Sequence, residues 1–139
     1  MKFFVVPFDW VKERSECSLE RVFHLFAEVV DSDVKSANAL KRGGAKFEVN
    51  TQAIGKIMVI RTRPVGSTAE MAGVTFELME NHINVSKRRS KSTEAEAFFS
   101  FFPSLNLEGE CLVRVEGESE MLKLWQVSRK ALEDLFFGF

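Results

Sequence analysis

The sequence predicts an α+β fold: a largely antiparallel or mixed sheet of about five to seven strands, with two long helices and one short helix packed mainly on one face. Three observations predict it. Apolar residues fall at helical spacing near the two ends of the chain, from Leu19 to Val30 and from Leu122 to Phe136. The middle is dominated by alternating or β-branched segments, and those segments follow one another without regular helical crossovers. At 139 residues the chain has room for a single domain, residues 1–139, with one sizeable core. With 45% hydrophobic and 28% charged residues it matches an ordinary globular domain, which excludes a wholly disordered or fibrous class.

The opening segment MKFFVVPFDW reads as a first strand over Lys2 to Val6 rather than a leader, because Asp9 and Trp10 follow the short apolar run at once. Pro7 to Glu16 reads as a connection. Ser18 offers an N-cap and Glu20 complements the helix dipole, while Leu19, Val22, Phe23, Phe26 and Val30 form an apolar stripe. Asp31 to Asp33 can interrupt or recap this first long helix, and a short continuation closes at Lys41, Arg42 and the pair Gly43-Gly44. Two strands follow, AKFEVNT and GKIMVIRTR, joined at Gln52 to Gly55, with Pro64 ending the second. Pro64 to Met71 is a polar loop. VTFELME turns Val74, Phe76 and Leu78 inward, and HINVSK returns beside it as a hairpin through Asn81 and His82.

Thr93 and Glu96 have capping-box spacing, and Ala95, Phe98, Phe101 and Phe102 fit one face of a short helix stopped before Pro103. A strand remains the alternative for FFSFF. LEGEC and VEGES bracket a further strand, with Gly109 and Gly117 as turn glycines. Ser119 then caps a last helix with Leu122, Trp125, Leu132, Leu135 and Phe136 inward and Gln126, Arg129, Lys130 and Glu133 outward. The fourteen phenylalanines, unaccompanied by any tyrosine, carry no polar handle and belong mostly in the core.

Charge is unevenly placed. From Lys35 to Thr93 eleven Lys and Arg stand against four Glu, a net +7, and the rest of the chain carries −8. Lys87, Arg88, Arg89 and Lys91 lead this basic region from an expected loop, with Lys41, Arg42, Arg61 and Arg63 as neighbours, and together they form the candidate contact for phosphates or an acidic partner. They match no nucleic-acid module and lack an aromatic platform for stacking bases. Phe99, Phe137 and Phe139 are the candidate apolar interface, since chain ends fray unless they dock.

Other motifs carry less. Glu20, His24 and Glu28 share a helix face, but no second histidine follows at ligand spacing, so they read as an exposed ladder. His82 reads as a turn residue. Cys17 and Cys111 have neither metal-knuckle spacing nor the density of a disulfide scaffold, so they read as unpaired thiols in a reducing cytoplasm, with Cys111 in the core. No apolar run approaches the roughly 20 residues of a membrane-spanning helix. No catalytic constellation, metal or cofactor is implied. The sequence therefore points to a non-enzymatic protein-interaction module, an adaptor, inhibitor or assembly subunit with a protein partner and with homo-oligomerisation open. A nucleic-acid binder using residues 87–91 is the alternative, and a small hydrolase or nuclease follows behind it.

Overall fold

The computed structural model describes residues 7–40, 45–51, 53–62, 72–89 and 94–138. Helix α1 spans Trp10–Glu16 and α2 spans Leu19–Leu40; seven strands follow, β1 Lys46–Asn50, β2 Lys56–Thr62, β3 Ala72–Leu78, β4 Ile83–Arg88, β5 Glu96–Leu105, β6 Cys111–Val115 and β7 Met121–Leu122, and α3 spans Leu124–Phe137. The strands pair in sequence order, each antiparallel to the next. Such a meander needs only short connections, which is why the middle of the sequence shows no helical crossovers. The α+β architecture predicted from the sequence is the one observed.

Alternation along the strands fixes the covered face. Ile57 and Val59 on β2, Val74 and Phe76 on β3, Ile83 and Val85 on β4, Phe101 on β5, and Val113 and Val115 on β6 are all buried, and successive strand residues point to opposite faces. Helix α2 lays Val22, Phe26, Val30 and Val34 on this face, and α3 adds Val127, Ala131, Leu132, Leu135 and Phe136. Phe26 sits at the centre, its ring edge-on to Phe76 and Phe101 with centroids 4.9 and 5.2 Å away. Ser18 caps α2 as expected, its Oγ accepting from the Arg21 amide at 3.2 Å. The acidic Asp31 to Asp33 segment does not break the helix. Asp31 pairs with Lys35 one turn on at 2.9 Å, and Asp33 accepts from the Ser128 hydroxyl of α3 at 2.6 Å.

Four expectations are corrected. The connection before α2 contains a helix: Asp9 caps α1 by accepting from the Lys12 amide at 3.0 Å. The Phe-rich segment is strand β5, not a helix. A register shift in the β4–β5 ladder falls between Val85 and Ser86 and makes Phe98 an extra residue, so Phe98 and Phe99 follow each other before Phe101. That bulge breaks strict alternation and imitates helical spacing. Pro103 is tolerated because β4 begins at Ile83, opposite Phe101, so that past Phe101 β5 is paired to β6 and not to β4. The last helix starts later than Ser119, since Met121 and Leu122 pair with β6; the Lys123 amide at its start donates to Gln126 Oε1 at 2.7 Å. The glycine turns hold, with positive φ of 83° at Gly109 and 85° at Gly117. The expected first strand at Lys2 to Val6, the Gly43-Gly44 stop, the Pro64 to Met71 loop and Thr93 lie outside the described residues.

The fourth correction is covalent. Cys17 and Cys111 form a disulfide with Cα atoms 5.5 Å apart, closing the α1–α2 junction onto the start of β6 across 94 residues. Cys17 is buried and Cys111 exposed, so Cys111 is not the core residue expected from its strand position. Spacing in sequence says nothing about pairs this distant, because the meander alone brings them together.

Two stability predictions follow from this frame. Phe26→Ala removes the ring on which helix and sheet meet, and should cost about 3–5 kcal/mol in urea denaturation; a loss below about 1 kcal/mol would show that the site collapses without it. Replacing Cys17 and Cys111 together by serine frees a long loop and should cost about 2–5 kcal/mol. An unchanged denaturation midpoint, or two thiols titratable in the native wild-type chain, would count against the bond.

Candidate functional site

Helix α3 borders two concave surfaces. The first is a groove between α2 and α3 of about 410 Å³, walled by Ala37 and Leu40 on α2 and by Trp125, Leu132, Phe136 and Phe137 on α3. Arg129 and Glu133, both exposed, supply its polar rim. Leu40, Trp125 and Phe137 are 58%, 54% and 47% exposed, unusually open for residues of this size beside a core. The Asp33–Ser128 hydrogen bond lies at the groove floor, with Ser128 fully buried. It satisfies the one buried hydroxyl of the helix pair.

The second surface is a cleft of about 360 Å³ where the ends of β2, β3 and β4 meet the last turn of α3. Arg61, Lys87, Arg88 and Arg89 line it with Phe98, Asp134 and an apolar floor that includes Ala72, Val74, Ala131 and Leu135. The strand register explains the convergence. Arg61 continues the buried positions Ile57 and Val59 along β2, and Lys87 continues Ile83 and Val85 along β4, so both emerge from the covered face where the strands outrun the helix. Arg61 donates from Nη1 to the Leu135 carbonyl at 3.3 Å, and a cation there suits the negative end of the helix dipole. Lys87 places Nζ 4.2 Å above the Phe98 ring.

Of the basic residues singled out in the sequence, the structure brings together Arg61, Lys87, Arg88 and Arg89. Lys87 and Arg88 belong to β4 rather than to a loop, and Arg89 stands just beyond the strand. Lys41, Arg42, Arg63, Lys91 and Phe139 lie outside the described residues. Phe137 reaches the groove, whereas Phe99 is half-buried beside Phe101 with Lys130 Nζ 5.5 Å from its ring. The expectation that the basic residues lack an aromatic neighbour is corrected by Phe98, which the bulge turns toward Lys87.

Leu40 and Trp125 were hidden from sequence reasoning as site residues. Both fall at helical spacing with true core positions, and a periodic stripe does not separate its centre from its flank. His24 pairs with Glu28 at 3.6 Å on the exposed face of α2, and His82 sits in the β3–β4 turn, where its carbonyl accepts from the Met79 amide at 2.8 Å. No protein-family model, curated protein or solved structure matches the chain.

Substituting Leu40 and Trp125 together by serine removes the groove wall without touching a buried side chain. The unfolding free energy should fall by no more than about 1 kcal/mol, while binding of an apolar fluorescent dye falls. A larger loss of stability would assign both residues to the core.

Proposed function

We propose that the protein works by binding rather than by catalysis, as a protein-interaction module that receives an amphipathic helix of a partner protein in the groove between α2 and α3. The observation that carries this reading is the row of large exposed apolar side chains, Leu40, Trp125 and Phe137, along one open groove. From Trp125 to Phe137 the groove follows α3 for about 18 Å, or three helical turns. That length exceeds a compact metabolite and suits a helix carrying apolar residues at every third or fourth position. Tryptophan and phenylalanine are also the residues that anchor such contacts, through large rigid area held at small entropic cost. The polar groups beside the groove are paired among themselves, Arg129 with Glu133 at 3.3 Å and Asp33 with Ser128, so the apolar wall carries the contact.

The nucleic-acid alternative has less behind it. Duplex recognition needs cations tracking a charge roughly every 1.7 Å, whereas Arg61, Lys87, Arg88 and Arg89 meet in a single cleft and the chain is net −1 overall. No helix of the described residues is long and apolar enough to cross a membrane. The cytoplasmic placement expected from two unpaired cysteines loses its main support once they are bonded, because such bonds persist where thiols are kept oxidised. An oxidising compartment is the better reading.

The test is a photo-crosslinking amino acid placed at Trp125 of the full chain in its source cells. One discrete adduct with another protein is expected, lost when Leu40→Asp is added and absent when the crosslinker sits instead at Ile54, which is fully exposed on the β1–β2 turn. An adduct of twice the chain mass would replace the partner by a second copy. Equal adducts from both positions, or none, would overturn the reading.

A further inference from the structure

We propose that the cleft between the β2–β4 strand ends and the last turn of α3 is a binding site for a compact organic anion, a carboxylate or phosphate carried on a small apolar body. The site is separate from the α2–α3 groove and does not rest on it. Its first support is electrostatic. Lys87, Arg88 and Arg89 line one cavity in which Asp134 is the one carboxylate among the described lining residues, in a chain that is net negative. Like charges held together in a partly desolvated cleft repel one another unless an anion enters.

The second support is what these cations do not do. Lys87, Arg88 and Arg89 make no ion pair among the described residues, although Glu96 stands directly across the ladder from Lys87. Lys87 rests instead over the Phe98 ring, which orients the ammonium without neutralising it. Arg61 is held against the Leu135 carbonyl and fixes the helix end that forms the cleft wall. The ligand contacts therefore fall to Lys87 and Arg89.

The floor supplies the third support. Ala72, Val74, Ala131 and Leu135 line the cleft together with the half-buried Phe98 ring, so the surface beside the cations is apolar, with the ring offering most of the open area. A volume of about 360 Å³ lies at the small end of ordinary ligand pockets. A bare inorganic ion would leave the floor wet, and a polymer would meet only one end of the sheet.

Titration of the full, disulfide-bonded chain with 4-phenylbutyrate, followed by amide chemical shifts, tests the site. Saturable shifts confined to Arg61, Val74, Lys87, Leu135 and their neighbours are expected, with a dissociation constant of about 1 mM or below. The uncharged 4-phenylbutanol should bind at least about tenfold more weakly, as should Arg89→Glu, whose side chain is exposed, and Lys87→Gln. Retained shift dispersion in either variant separates lost binding from lost folding. Phenyl phosphate in place of the carboxylate identifies which anion the rim prefers, and tighter binding of either one supports the site. Equal binding by the alcohol, by inorganic phosphate, or by both variants overturns it, as does an absence of shifts up to ~10 mM. Tighter, salt-sensitive binding of a single-stranded oligonucleotide, abolished in Arg89→Glu, would also overturn it in favour of a phosphate-backbone contact.

Discussion

The packing of Phe26 against Phe76 and Phe101 is the contact on which the remaining geometry depends. Phe26 is fully buried, and both partners meet it edge-on, the arrangement that lets the positive ring edge face the negative ring plane. Because α2 is unbroken over 22 residues, seating Phe26 also sets Val22, Val30 and Val34 on the sheet. Once the covered face is chosen, the strands have no freedom of register, since a slip of one residue would turn every buried side chain outward. Arg61 and Lys87 are consequences of that choice. They occupy the next inward positions on β2 and β4, beyond the reach of the helices that cover Val59 and Val85.

Both ends of α2 are fastened. At its start the Cys17–Cys111 bond ties the α1–α2 junction to β6. Near its end Asn38 makes two hydrogen bonds to the backbone of Phe47, donating to the carbonyl at 2.9 Å and accepting from the amide at 2.8 Å. In this way an amide side chain behaves as a short piece of strand and covers part of the sheet's edge at β1, where unpaired backbone groups would otherwise meet solvent or another chain. The helix is thus joined to an outer strand at one end and close to the opposite edge at the other. This cross-bracing makes a sheet with only local strand pairings behave as one unit with its helices.

The sequence announced the two long helices and five of the described strands because their apolar residues repeat at 3.6 or 2 residues. It misled where two signals overlapped. At Phe98 to Phe102 the bulge inserted one residue into a period of two and produced the i, i+3, i+4 spacing of a helix, and Thr93 with Glu96 reinforced the error. At Met121 and Leu122 a two-residue strand consumed the apolar positions that otherwise read as the first turn of α3. The disulfide was illegible because its partners are adjacent only after six strands have been laid side by side. For the sites, the basic character was visible in composition, but the meeting of Arg61, Lys87, Arg88 and Arg89 in one cleft came from the fold, and the groove came from the relation between two helices that pattern alone does not align.

The rotation of α3 about its axis explains why it serves two surfaces. Ser128 is a polar residue in a buried position, and its hydroxyl reaches Asp33 at 2.6 Å; turning the helix would strand that group without a partner at a cost of about 1–3 kcal/mol. With Ser128 facing α2, the positions 125, 129, 132, 133 and 136 run along the groove side. The positions 131, 134, 135 and 138 run along the cleft side. Each set follows the spacing of three and four that defines one face of a helix. A single hydrogen bond between two helices therefore selects which apolar side chains stay open beside α2 and which carboxylate, Asp134, meets the cations at the sheet's end. The same bond holds Trp125 out of the core, since the face on which it would be buried is already occupied by Val127 and Ala131.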